Sequence, residues 1–253
     1  MVVSARSRDE FVSLPTALVV LFVGPMVLSI LYLALSSGGG GGTLEAPQVI
    51  AAGLAVAGLS STMSASSLLA NDQVNGTLAF VVTAPRGHML VWCGRIAVVA
   101  GIGVLQGAVG TAAAFVVIGR APSASMCLAV LGLLVIASAV SLGFGLTIGA
   151  VGLIVRDSML LPNTAEQLVP VLCGAIAPVA VLWPPLAMVA NVIPLTHAIE
   201  VGRNLDASWA VNLGGLMAAG IGGVVWAAIG VATWVFLQRR ARRTGAIESM
   251  AIG

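Results

Sequence analysis

The sequence predicts an all-α, polytopic membrane protein with six transmembrane helices and both termini cytoplasmic. Three observations carry this. Of 253 residues 59% are hydrophobic and only 8% charged, far below the roughly 25% charge of an ordinary soluble domain. The apolar residues fall into long runs near the ~20 residues a helix needs to cross a bilayer. The arginines collect in alternate connections, as the positive-inside rule requires of a membrane-threaded chain.

The first span is predicted from about Pro15 to Leu35, with Pro25 as its kink site, because proline removes a backbone donor inside a helix. Its apolar run exceeds the roughly 7–15 residues of a signal-peptide core and no small-x-small cleavage site follows, so it is expected to be retained. Five consecutive glycines between Ser36 and Thr43 form a loop. The second span covers about Pro47–Ala70, the third Ile96–Ile118, the fourth Met126–Val155, the fifth Leu168–Trp183 and the sixth Val211–Leu237. Between the last two, residues 184–209 are broken by Pro184, Pro185, Pro194, Glu200, Arg203 and Asp206, which suits short outer helices of re-entrant or interfacial type.

With both ends inside, the cytoplasmic segments hold nine arginines: Arg6, Arg8, Arg86, Arg95, Arg156, Arg239, Arg240, Arg242 and Arg243. The outer loops hold two, Arg120 and Arg203. Trp183 and Trp209 then fall at the outer interface and Trp92 and Trp234 at the inner one. Residues 1–14 read as a cytoplasmic interfacial segment and 238–253 as a basic cytoplasmic tail against anionic headgroups. The whole of 1–253 reads as a single six-helix domain.

Composition also excludes chemistry. The chain has no lysine, and a P-loop needs lysine to reach the β- and γ-phosphates; any ATP that powers it binds another polypeptide. Cys93, Cys127 and Cys173 show no metal-type or CxxC spacing and read as small hydrophobes. His88 and His197 lack obvious ligand partners. No metal site, catalytic group, bound cofactor or nucleic-acid partner is expected. Asp72, Asp157 and Glu166 are placed at cytoplasmic span ends and Glu45 in an outer loop, so no carboxylate is expected within a span. That argues against an ion-coupled carrier, since intramembrane acids mark ion pathways.

Within the spans, Ser60, Ser64, Ser67 and Asn71 share one helical face. Interhelical hydrogen bonding is the favoured reading of this stripe, and a wall of a substrate path the sharper one. Gly103/Gly107, Gly145/Gly149 and Ala218/Gly222 have the spacing that lets helix backbones approach.

One polar loop stands out, residues 71–88. It reads Asp72-Gln73-Val74-Asn75-Gly76-Thr77-Leu78-Ala79, then Thr83-Ala84-Pro85-Arg86, then Gly94-Arg95. A second motif, on the outer side, reads Pro194-Leu195-Thr196-His197-Ala198-Ile199-Glu200-Val201-Gly202-Arg203. Together with six spans and no attached ATPase, these motifs resemble the type-2 ABC transporter permeases, the membrane subunits of drug, lipid and polysaccharide exporters. Gln73 and Ala79 depart from that family's pattern, where arginine and glutamate are common.

The resemblance implies that the 71–88 loop couples the permease to a cytoplasmic ABC ATPase through Asp72, Gly76, Thr77, Leu78, Phe80, Val81, Pro85 and Arg86. Its apolar residues suit a groove on a soluble partner. The outer segment with Pro194, Thr196, Glu200 and Arg203 is implied to cap the transport path or to anchor helices, and Glu200 and Arg203 are spaced to pair. Ser60, Ser64 and Ser67 are the path-lining candidates. The expected partners are that ATPase, which would carry ATP and Mg²⁺, and a second permease chain as homodimer or heterodimer. The expected setting is the plasma membrane of a bacterium with a GC-rich genome, and the expected activity multidrug-type efflux of an amphipathic or lipophilic substrate. A non-transporting scaffold and an ion-coupled carrier are the competing readings.

Overall fold

The computed structural model describes residues 13–38, 44–74, 88–155, 159–205 and 209–244, and among these residues there is no strand. Five helices are long and apolar enough to cross a membrane: α1 (Leu14–Ser36), α2 (Ala46–Val74), α3 (His88–Ile118), α4 (Ala124–Gly152) and α8 (Trp209–Thr244). A shorter helix, α5 (Leu160–Leu172), precedes a 3₁₀ turn at Val179–Val181. Two further helices, α6 (Pro184–Val192) and α7 (Pro194–Arg203), bend through 100° at their junction and make a sixth passage if taken as one broken span.

Helix α2 is the axis of the bundle. Over its apolar window 83% of residues are buried, against 22% for α1 and 17% for α8, so the outer pair present their apolar faces to the surroundings and α2 to protein. The GxxxG spacings explain how neighbours come so close. A Cβ on Gly103 would overlap the Ser61 hydroxyl, and one on Gly107 would lie 2.5 Å from Ala57 Cβ; α3 therefore meets α2 along a glycine track. On the opposite flank, Gly149 of α4 leaves room for the Ser66 carbonyl oxygen, which a Cβ would approach to 2.6 Å. Without bulky side chains at these points, backbone approach supplies the van der Waals contact that drives helix association in lipid.

Two predictions are corrected here. The fifth span is not a helix over 168–183. It starts at Leu160, carries Pro170 within its last turn and ends at Leu172, where Gly174 two residues on turns the chain at φ +82°. At thirteen residues α5 is about 20 Å long, short of a ~30 Å hydrocarbon core. The second span is longer than predicted and carries Asn71–Val74 as its last turn, so Asp72 belongs to the helix and not to the loop.

The kink expected at Pro25 takes a specific form. The turn before it, Val19–Val23, is π-helical, and the Gly24 N–H reaches back to the Val19 carbonyl. The next donor in that register would be Pro25, which has none, so the Val20 carbonyl loses its backbone partner. Gln106 of α3 replaces it, donating Nε2–H to the Val20 oxygen at 2.9 Å. An unpaired carbonyl in lipid costs several kcal/mol, of order 2–7, which explains a glutamine in the middle of a span.

Candidate functional site

Three parts of the molecule hold the residues singled out by the sequence: one end of the bundle around Asp72, the bent pair α6–α7, and a cavity beside α1.

At the end of α2, the Asp72 carboxylate accepts two hydrogen bonds from Arg95 of α3, at 2.8 and 3.1 Å. The pair is largely shielded, with side-chain exposures of 11% and 23%. The Arg95 guanidinium also lies 5.2 Å from the centre of the Trp92 ring, and Trp92 packs on Trp234 of α8 at 5.9 Å. A bidentate, charge-assisted contact of this kind fixes orientation as well as distance. The clamp therefore joins the end of α2 to the first turns of α3, the helix that follows it in sequence. The coupling residues Gly76, Thr77, Leu78, Phe80, Val81, Pro85 and Arg86 lie outside the described residues. The clamp partner, Arg95, entered the sequence reading only as a topological charge and part of a motif; pairing over 23 positions leaves no mark in local pattern.

The bent pair α6–α7 has its junction at mid-bundle. Pro194 packs beside Gly222, midway along α8, and Leu195 lies beside Gly58, midway along α2. The 100° bend there ends the backbone ladder of α6, and side chains meet its last three carbonyls, that of Ala190 in addition to the Ile193 N–H. Thr196 Oγ1 donates to the Ala190 oxygen at 2.7 Å. The His197 ring nitrogen Nε2 lies 3.0 Å from the Asn191 oxygen. Trp226 of α8 donates its indole N–H to the Val192 oxygen at 2.8 Å. Irregular backbone survives at membrane depth only when its polar groups are paired in this manner. Thr196 and His197 thereby act on the bend itself.

Arg203, at the far end of α7, does not pair with Glu200 as the i, i+3 spacing suggests. Its Nη2 donates to the Gly174 carbonyl at 2.6 Å and to that of Ala175 at 3.4 Å. Those carbonyls are freed where α5 terminates, and the guanidinium ties the bent pair to that turn. An acceptor already fixed by a helix end costs less side-chain ordering than a carboxylate partner would.

The cavity, of about 580 Å³, lies between α1, α2, α3 and α5. Ser60 and Ser64 line it, together with Tyr32, Gln106, Glu166 and Gln167. The third residue of the serine stripe, Ser67, does not; its hydroxyl returns to the Ser64 carbonyl at 3.2 Å. Ser60 donates to Gln106 Oε1, which completes a chain from α2 through Gln106 to Val20 of α1. Ser60 therefore makes the interhelical bond expected of the stripe, and the neighbouring residue, Ser61, makes another, 2.7 Å from Ser138 of α4.

Glu166, expected at a cytoplasmic span end, lies in the middle of α5, and its exposed side chain lines the same cavity as Ser60 and Gln106. Among the described residues no group of three or more His, Cys, Asp or Glu could hold a metal ion.

The fold and these sites define a multi-pass membrane protein whose long helices surround one central span, with the bent pair α6–α7 packed into the bundle. The chain matches the family model for the ABC-2 type transporter over residues 2–205. It belongs to that family and is a transmembrane permease. The family works with a cytoplasmic ABC ATPase. No curated protein and no solved structure matches the chain.

Proposed function

We propose that the chain is the permease subunit of an ATP-driven exporter, paired with a second permease chain and driven by a separate ABC ATPase docked on residues 71–88. ATP and Mg²⁺ would sit on that partner. The cargo would be an amphipathic or lipophilic molecule, a drug, antibiotic or lipid, moved outward across the plasma membrane of a bacterial cell. The permease performs no covalent step; its work is to bind cargo differently in two conformations that the ATPase interconverts.

The observation that supports this most is the Asp72–Arg95 clamp. A push on the segment between α2 and α3 displaces both helices as one unit, and α2 is the most buried of the spans. Movement there is felt by α3, α4 and the bent pair that pack on it.

The test is gentle solubilisation of the tagged chain and identification of what co-purifies. A stoichiometric P-loop protein is expected, lost on Gly76→Trp together with ATP-dependent export while expression and insertion persist. Intact, active complex containing no ATPase would overturn the reading. Glu166 in the cavity favours a second reading, an ion-coupled carrier. Transport that stops when the proton gradient is collapsed at constant ATP would establish it.

A further inference from the structure

The cavity beside α1 combines mainly apolar walls with a single carboxylate. Its walls are mostly aliphatic, supplied by residues such as Leu28, Leu31, Leu59 and Val171. The polar residues among them are neutral except one, Glu166. Gln106 is committed at both ends of its amide, donating to Val20 and accepting from Ser60, and Ser60 is committed in turn.

The Glu166 carboxylate has no basic neighbour to answer it. Among the described residues the ion pair present is Asp72–Arg95, and Arg203 is turned to the carbonyls of Gly174 and Ala175. Glu166 is thus the one carboxylate on an otherwise neutral, mainly apolar wall, and its exposed side chain is open to a ligand in the cavity.

We propose that this cavity binds an amphipathic organic monocation, its charge held by Glu166 and its apolar body by the aliphatic walls of α1, α2 and α5. The volume of about 580 Å³ lies within the ~300–1,000 Å³ of pockets for drug-sized ligands. A small inorganic cation is disfavoured, because one carboxylate and a few neutral side chains spread over four helices offer too few convergent oxygens to replace its water shell. A cation with buried or delocalised charge needs little hydration and gains from the apolar walls. The proposal rests on the export reading above and narrows its cargo to one sign of charge.

The experiment uses the full chain in lipid nanodiscs, with tetraphenylphosphonium as the probe and tetraphenylborate as its same-shaped anion. Equilibrium dialysis against empty nanodiscs removes partitioning into lipid. Saturable binding of the cation is expected in the wild type, with none for the anion. Glu166→Gln should weaken cation binding by about tenfold or more, equivalent to about 1.4 kcal/mol, while Glu166→Asp should stay within about threefold.

Equal binding of cation and anion by the wild type, no saturable cation binding, or full affinity in a folded Glu166→Gln variant would each overturn the proposal. The cation–anion comparison needs no variant and so survives a folding defect. No ATPase is required for binding. Failure here alongside ATP-dependent export removes only the cation assignment, and success without a co-purifying ATPase removes only the export reading.

Discussion

Replacing Arg95 by methionine keeps an unbranched stem under Trp92 but removes the guanidinium from Asp72. Two geometries bracket the cost. An exposed ion pair is worth about 0–1 kcal/mol, and breaking a buried one about 3–5. With side-chain exposures of 23% and 11% and two bonds at 2.8 and 3.1 Å, the pair falls between them. Arg95→Met should therefore cost about 2–3 kcal/mol, including roughly 0.5–1 for the lost contact with the indole face. Asp72→Asn should cost about 2 kcal/mol. Since both act on one contact, the double variant should lose less than the sum, leaving a coupling of about 1.5–2 kcal/mol. Unfolding free energies measured by steric trapping in bicelles would give the cycle, and ATP-dependent export of the same variants would report its use. A coupling below about 0.5 kcal/mol, or undiminished export in Arg95→Met, would refute the clamp as the element that joins the end of α2 to the first turns of α3.

Gly103→Val should destabilise by about 2–3 kcal/mol through overpacking against Ser61 and the Ala57 carbonyl. Gly101→Ala, with nothing within 4 Å of the added carbon, should be neutral or stabilising by up to about 1 kcal/mol; thermal unfolding in detergent compares them. Gln106→Leu should cost about 1–3 kcal/mol by stranding the Val20 carbonyl, and Pro25→Ala should suppress that loss by restoring a backbone donor, so equal melting temperatures for Gln106→Leu with and without Pro25→Ala would contradict the account of the π-helical turn. Trp226→Phe removes the indole N–H from the Val192 carbonyl and should cost about 0.6–2 kcal/mol, with faster hydrogen exchange at the α6–α7 junction than in α2 as its local signature.

How far the sequence reaches is clearest at particular residues. Pro25 announced a local break, because losing an N–H is a property of the residue alone; the sequence did not reveal that Gln106, eighty-one positions on, would answer it. The serine stripe was legible as one helical face at period 3.6. Which residues of that face open on a cavity depended on where α1 and α5 lie; Ser60 bonds Gln106 of α3 as the stripe suggested, while the bond to α4 comes from Ser61, one residue aside. The short outer helices were foreseeable from Pro184, Pro185 and Pro194, whereas their junction at the level of Gly58 and Gly222 was not. Pro170, Gly174 and Pro178 were all visible in the fifth apolar run, yet hydropathy averaged across them and placed the helix too late.

By itself the sequence determined that this is a helical, multi-pass membrane protein, where most of its spans lie, and that it carries no P-loop of its own. These follow from transfer free energies and backbone donors that each residue brings regardless of its neighbours in space. The tertiary structure alone decided that Asp72 meets Arg95, that Arg203 turns from Glu200 to the end of α5, and that Glu166 lines the cavity beside α1. Each of these is a choice among partners distant in the chain. In an interior without water the choice is fixed by which polar groups packing brings within hydrogen-bonding reach.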